Sequence, residues 1–305
     1  MTPRASATLL ILGGVWGASF LFIKVVVEET SPLELVAGRL LFGALAIGLI
    51  MVLRRTPLPR RPSLLGKVCL MALVSNVVPF FLIAWAEVHI ASGTASVLNS
   101  TMPLFTALFA AAFLAEEHLT AARLAGLMAG FLGVVVLAGS DVVHITDSDV
   151  LGQMAVVAAA ACYGFGAVFA RTLLRSEEPL TLSGLQLLAG TVLAMPLLLA
   201  VEGAPDYSLS IEAWLSLVTL GVVGSGLAYV AYLWLVDHVG SVRTSLVTYI
   251  IPVVGLLLGW AVLDERIGIN TGVGAALIIL GVAAVMRGQL PAPHRAPAST
   301  AVAAD

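Results

Sequence analysis

The stretch TLLILGGVWGASFLFIKVVV, residues 8–27, decides the fold. It is a run of apolar and small residues broken by one charge, Lys24, and about 20 such residues let an α-helix cross the bilayer core with every backbone group bonded internally. The pattern returns as AVVAAAACYGFGAVFARTLL, residues 155–174. A shift of 147 lays Trp16-Gly17 over Tyr163-Gly164 and Lys24 over Arg171. A membrane-crossing helix that recurs so far along the chain points to a duplicated bundle rather than to one anchor in front of a soluble domain.

The rest of the chain agrees. Of 305 residues, 60% are hydrophobic and 11% charged, against roughly 45–50% and 25% in soluble proteins, so a water-soluble globule is excluded. Apolar runs bounded by charges, Pro and Gly predict ten helices. Five lie at about Thr8–Val27, Glu34–Leu53, Gly66–Ala86, Thr94–Ala115 and Ala121–Gly139; five more lie at Val150–Leu174, Thr181–Val201, Ile211–Val236, Arg243–Leu263 and Asn270–Met286. Arg4 before an apolar run could open a signal peptide, but the run is long enough to span and is read as helix 1. The Pro- and Ala-rich stretch Gln289–Asp305 reads as a disordered tail. Cys69 and Cys162 fall inside apolar runs and build neither a disulfide framework nor a metal cluster. A net charge of −3 offers no basic stripe for nucleic acid.

With the N-terminus in the cytoplasm, the inside segments hold Arg4, Arg54, Arg55, Arg60, Arg61, Lys67, Arg123, Arg171, Arg175, Arg243, Arg287 and Arg295, twelve of the fifteen basic residues. Lys24 and Arg266 fall outside and Arg39 within a span. Because Lys and Arg near helix ends resist translocation, both termini are expected in the cytoplasm of a cell (inner) membrane protein.

The halves align further. At 147, Pro32 meets Pro179, Arg39 meets Gln186 and Gly43 meets Gly190. At 149, Asn76 meets Ser225, Phe80 meets Tyr229, Trp85 meets Trp234, His89 meets His238 and Pro103 meets Pro252; at 148, Glu117 meets Glu265, Gly126 meets Gly274 and Gly133-Val134 meets Gly281-Val282. Five spans is an odd number, so the second half enters the membrane from the opposite side. The expected fold is thus an all-α membrane protein of ten transmembrane helices in two inverted five-helix repeats, residues 1–140 and 147–288, followed by the tail 289–305. Such repeats place substrate near the midplane between them.

The run Trp16-Gly17-Ala18-Ser19-Phe20, then Lys24, Pro32, Arg39, Pro103, Glu117-His118-Leu119-Thr120, Gly126 and Gly133-Val134, resembles one EamA-type repeat. Pro252, Asp264-Glu265-Arg266, Gly274 and Gly281-Val282 repeat it. The chain up to its tail is similar to the ten-helix drug/metabolite transporter superfamily. That resemblance implies a carrier that exports amino acids, other metabolites or drugs, without naming the substrate. The basic cavity residues of the family's phosphate-sugar branches have no match here.

Several residues are candidates for the site. Asn76, Phe80 and Ile83, and Ser225, Tyr229 and Tyr232, share helix faces through their i, i+4, i+7 spacing, and mid-span polar groups are costly against lipid. They line a cavity or bond between helices. Asn99 and Tyr249 precede Pro103 and Pro252, which either bend their helices for gating or simply kink them. Trp16 and Tyr163 begin their repeats' first helices, where an aromatic ring stacks on substrate or packs. Arg39, seven residues into helix 2, needs a partner or water, with Glu34 and Glu87 on its side as gating or ion-pair candidates. Glu117 and Glu265 cap or tie loops. His89 and His238 sit at span ends, without a second ligand at metal spacing. Gly126 and Gly130, and Gly255 and Gly259, allow close helix approach, within one chain or in a dimer; monomer and homodimer both stay open.

The sequence reading is a secondary transporter, an exporter of small neutral or zwitterionic metabolites such as amino acids, working by alternating access in the lipid bilayer and using no cofactor or metal. The rival in its class is a proton-coupled multidrug exporter. Because no acidic residue lies near a predicted helix centre, Glu34 and Glu87 are expected to meet interfacial water, and efflux is expected to need no pH gradient. A membrane enzyme lacks a His/Asp/Glu or Ser/His constellation at depth. A channel would show a ring or filter.

Overall fold

The computed structural model describes residues 2–56, 62–113, 120–138, 148–173, 178–239, 244 and 247–287. The Glu117 segment, most of the 57–62 loop, and the tail from Gln289 lie outside that set. The described residues are helical: α1 Pro3–Val27, α2 Pro32–Leu53, α3 Pro62–Ala72, α4 Val78–His89, α5 Ser92–Asn99, α6 Met102–Phe113, α7 Ala121–Ala138, α8 Ser148–Leu173, α9 Pro179–Val201, α10 Ile211–Thr219, α11 Ala228–Val239, α12 Val247–Val262 and α13 Ile269–Arg287. Seven continuous rods are long and apolar enough to cross a membrane, and Ala121–Leu137, Val247–Val262 and Ile269–Val285 are shorter apolar helices. Leu10, Ile11, Leu45, Leu49, Val52 and Leu53 face outward, as a lipid-facing surface requires.

Local chemistry sets the ends. Pro32 takes the first position of α2, where its missing N–H costs nothing. Ser31 and Glu34 form a capping box around it, with Ser31 Oγ accepting from Glu34 N at 3.0 Å. Ser210 caps α10 by accepting from Ala213 N at 3.2 Å. Two rods contain a π-helical turn, Leu73–Val77 between α3 and α4 and Leu220–Leu227 between α10 and α11. These stretches overlap at the 149-residue offset and carry Asn76 and Ser225, respectively. A π turn widens the helix locally and redirects side chains, which is why such turns gather at functional sites.

The packing reads the same when the chain's halves are exchanged. α4 lies on α8 as α11 lies on α1, and α6 on α8 as α12 on α1; α2 meets the second π turn as α9 meets the first. α7 packs on α13, α2 on α9 and α5 on α12. The α7–α13 seam is backbone against backbone. A Cβ on Gly281 would stand 2.5 Å from Gly130 N and 2.6 Å from Gly126 O, and one on Gly274 would stand 2.8 Å from Gly133 O. Only glycine permits that approach.

The proline expectation splits. Ser100 and Thr101 interrupt the rod between α5 and α6 just before Pro103, their hydroxyls donating to Val97 O and Leu98 O at 2.6 and 2.7 Å. Pro252 sits inside an unbroken α12.

Candidate functional site

α1, α2, α9 and the two π-bearing rods bring most of the candidate residues to one buried cluster. Arg39 is 5% exposed. Its Nε donates to Ser225 Oγ at 2.8 Å, and its guanidinium lies over the Phe80 ring, 3.9 Å from the centroid. A desolvated cation–π contact of this kind contributes about 2 kcal/mol. Arg39 makes no ion pair among the described residues; Tyr163, like Trp16, packs against the main core.

The matching contact comes from the other half. Gln186 Nε2 donates to Asn76 Oδ1 at 2.5 Å, and Asn76 Nδ2 donates to the Tyr229 hydroxyl at 3.4 Å. The Tyr229 hydroxyl in turn donates to Ser75 O at 3.4 Å. Arg39 pairs with Gln186 in the repeat alignment, and Asn76 with Ser225, so the two donor–acceptor pairs are equivalents exchanged between halves. One carries a charge and the other does not.

Trp16 closes a side of the cluster. Its Nε1 donates to Gly224 O in the second π turn at 3.2 Å, and its ring meets Tyr229 edge-on at 6.3 Å and Tyr232 at 5.5 Å. Gly224 and Ser19 also line a mostly apolar cavity of about 200 Å³ between α1 and α10. Aromatic walls, two amides and one guanidinium suit a small molecule with an apolar part and a carboxylate. Asn99 Oδ1 is buried at the end of α5 without a partner among the described residues, and Tyr249 packs on the same core as Trp16 and Phe80.

Glu34 is occupied elsewhere. It bonds Thr30 Oγ1 and Ser31 N, and its Oε1 accepts from Asp206 N at 2.9 Å. Tyr207 donates to Glu34 O at 3.1 Å; burial, then the Glu34 charge, pushes this phenol up to about 12, so it remains a donor at any physiological pH. At the same end Ser31 Oγ donates to Glu202 Oε2 at 2.5 Å, and Glu29 accepts from Ser210 N and Oγ at 2.7 and 2.5 Å. Those two hydrogen bonds hold the Glu29 carboxyl below its usual range. Glu265 accepts from Ser92 N at 2.6 Å and Gly93 N at 3.0 Å, capping α5 from across the molecule. Besides the central cluster, bonds between the halves thus join segment 28–34 to 202–210 and segment 90–93 to 263–268. His89 and His238 each bond a carbonyl one turn back, Trp85 O at 2.9 Å and Trp234 O at 3.0 Å.

Sequence reasoning passed over Gln186, Ser75 and the Gly224 carbonyl as site groups. Gln186 was visible as the mate of Arg39. The other two act through backbone oxygens, and side-chain identity cannot announce those.

The described residues form a bundle of apolar helices around this cluster, and comparison gives the family. The EamA-like transporter family matches the chain twice, over residues 4–139 and 150–287. The chain belongs to that family and is a multi-pass membrane protein, not an enzyme. It is similar to the uncharacterized transporter YoaV of Bacillus subtilis, 26% identical over 88% of this chain and 91% of that protein. A probable terminal-alkyne amino-acid exporter of Streptantibioticus cattleyicolor is 29% identical over 93% and 94%. The inner membrane transporter YedA of Escherichia coli is 24% identical over 92% and 90%. One crystal structure shares the fold, with a TM-score of 0.67 at 22% identity over 93% of this chain and 98% of the other.

Proposed function

We propose that the protein exports small neutral or zwitterionic metabolites, amino acids foremost, by alternating access between two inverted five-helix repeats. The repeats are residues 1–140 and 147–288, the spans number ten, and both termini face the cytoplasm. The exchangeable packing and the two family matches support the repeats, and the basic-residue asymmetry supports the orientation. The observation that carries the substrate class is Arg39, a buried guanidinium without a carboxylate partner among the described residues, beside Trp16, Phe80 and Tyr229. A substrate carboxylate bonds the guanidinium, and the aromatic wall takes its apolar part. Asn76, Tyr163 and Tyr232 complete the inner wall, while Asn99 and Tyr249 act from the pre-proline segments as the repeats rock. The relative named as an amino-acid exporter points the same way. A multidrug exporter for organic cations is the second reading. The aromatic cluster favours it, but the buried positive charge opposes it.

The test is a substrate screen in proteoliposomes. Saturable counterflow of at least one amino acid is expected; non-saturating flux would indicate a channel, and counterflow of organic cations alone would favour the second reading.

A further inference from the structure

The sequence places Glu87 near interfacial water, and the structure overturns that placement. Glu87 is 0% exposed, and among the described residues neither carboxylate oxygen has a hydrogen-bond partner. We propose that Glu87 is a proton-binding site: it carries a proton while the ends of the helices around it are joined, and gives that proton to water when they part.

The groups around Glu87 make the case. From α1, Lys24 approaches, but its ammonium is spent on backbone, donating to Glu87 O at 2.6 Å and to Ile90 O at 3.5 Å. From α2, Arg39 acts only at a distance, since its bonds go to Ser225 and Phe80. The loop after α12 brings Glu265, a like charge whose own oxygens are satisfied by Ser92 N and Gly93 N. The first π turn and α5 carry no titratable group. α8 packs through Gly152 against Ala86 O and Ile90; its Asp149, one turn earlier, is exposed and accepts from Ser148 Oγ. On its own helix, the His89 ring is turned back to Trp85. An ionised carboxylate here would be buried and, among the described residues, without donors; Lys24 favours the charge and Glu265 opposes it, whereas the protonated acid is neutral and needs no counter-charge.

Release needs water, and the nearest recess lies on the far side of Glu265. Glu265 lines an open recess of about 510 Å³ with Trp260, Asp264, Arg266 and Ile267. The cap it forms on α5 is one of the contacts joining the two halves at this end. When that contact opens, the recess extends toward Glu87, the carboxyl O–H passes its proton to water, and the carboxylate stays beside Lys24. Opening is thereby linked to loss of one proton. Lower pH holds this end shut and higher pH favours opening, by up to about tenfold per pH unit for one proton. This second half rests on the transport reading; the proton on Glu87 in the joined state does not.

Two measurements separate those parts. Infrared spectroscopy of the purified protein in lipid nanodiscs at neutral pH should show the carbonyl stretch of a protonated carboxylic acid. That band should shift when carboxyl-¹³C glutamate is incorporated, vanish in Glu87→Gln, and persist in Glu34→Gln. Its absence, or its survival in Glu87→Gln, would overturn the proposal; the isotope arm needs no variant to fold. In proteoliposomes with equal pH on both sides, amino-acid counterflow should slow as the pH is lowered, and Glu87→Gln should remove that dependence. An unchanged pH profile in Glu87→Gln would overturn the link to opening. No counterflow at any pH, with the band present, would count against the transport reading and leave the proton site standing.

Discussion

The α7–α13 seam and the central seam join the same two halves under the same pseudo-symmetry, yet they treat equivalent positions in opposite ways. At the α7–α13 seam the closest-packed equivalents are identical, with Gly126 answering Gly274 and Gly133 answering Gly281, backbone against backbone, although Gly130 answers Ile278. At the central seam they differ, because Arg39 bonds Ser225 where Gln186 bonds Asn76. Helix contact is a task both halves share, and a shared task keeps shared residues. Under the proposed function the central seam binds an asymmetric molecule, a task that is not symmetric, so one half contributes a charge and the other an amide.

The largest expected effect comes from making the central seam symmetric. Arg39→Gln should raise the half-saturation concentration for amino-acid counterflow about ten- to hundredfold, the worth of a hydrogen bond to a charged group at about 1.5–3 kcal/mol. Membrane abundance should hold. Next, Gly281→Ala should lower the thermal stability of the detergent-solubilised protein by about 1–3 kcal/mol, because its Cβ would strike backbone atoms that cannot yield. Gly48→Ala, where a Cβ meets nothing within 4 Å, should leave the melting temperature unchanged. Equal effects of the two changes would mean that the α7–α13 seam is not a close backbone contact. On the neutral side of the pair, Gln186→Leu should weaken counterflow only about threefold, as an interhelical hydrogen bond of about 0.6 kcal/mol implies. A loss as large as that of Arg39→Gln would mean that the charge is not what separates the two.

The smallest effect concerns pH. Glu29 is held below the ordinary value of 4.5 by its bonds from Ser210, the side-chain bond first. Its contribution is therefore full above 4.5 and is lost as the pH falls through the lowered value. Hydrogen exchange at Ser210 N should accelerate relative to its neighbours in that acid window, and Glu29→Gln should abolish the change.

The sequence made the helices and the duplication legible because both are written in apolar run length and in spacing. Trp16, Arg39, Asn76, Phe80, Tyr229 and Tyr232 were reachable because polar or aromatic groups inside apolar spans stand out. The π turns were not, since a run such as LGVVGSGL is equally apolar in either helix type. Nor was the isolation of Glu87, which depends on Lys24 bonding backbone and on Glu265 arriving from 178 residues along the chain. Glu34 shows the same limit. Its position suggested an ion pair with Arg39, yet the capping box and the Asp206 amide use its carboxylate first.

The central claim is that Arg39 grips the substrate's carboxylate at the seam between the repeats. The direct measurement compares counterflow of an amino acid and of its methyl ester in the unmodified protein and in Arg39→Gln. The unmodified protein should favour the acid over the ester by about tenfold or more, and Arg39→Gln should bring the two close to parity. The same acid-to-ester ratio in both proteins would contradict the account.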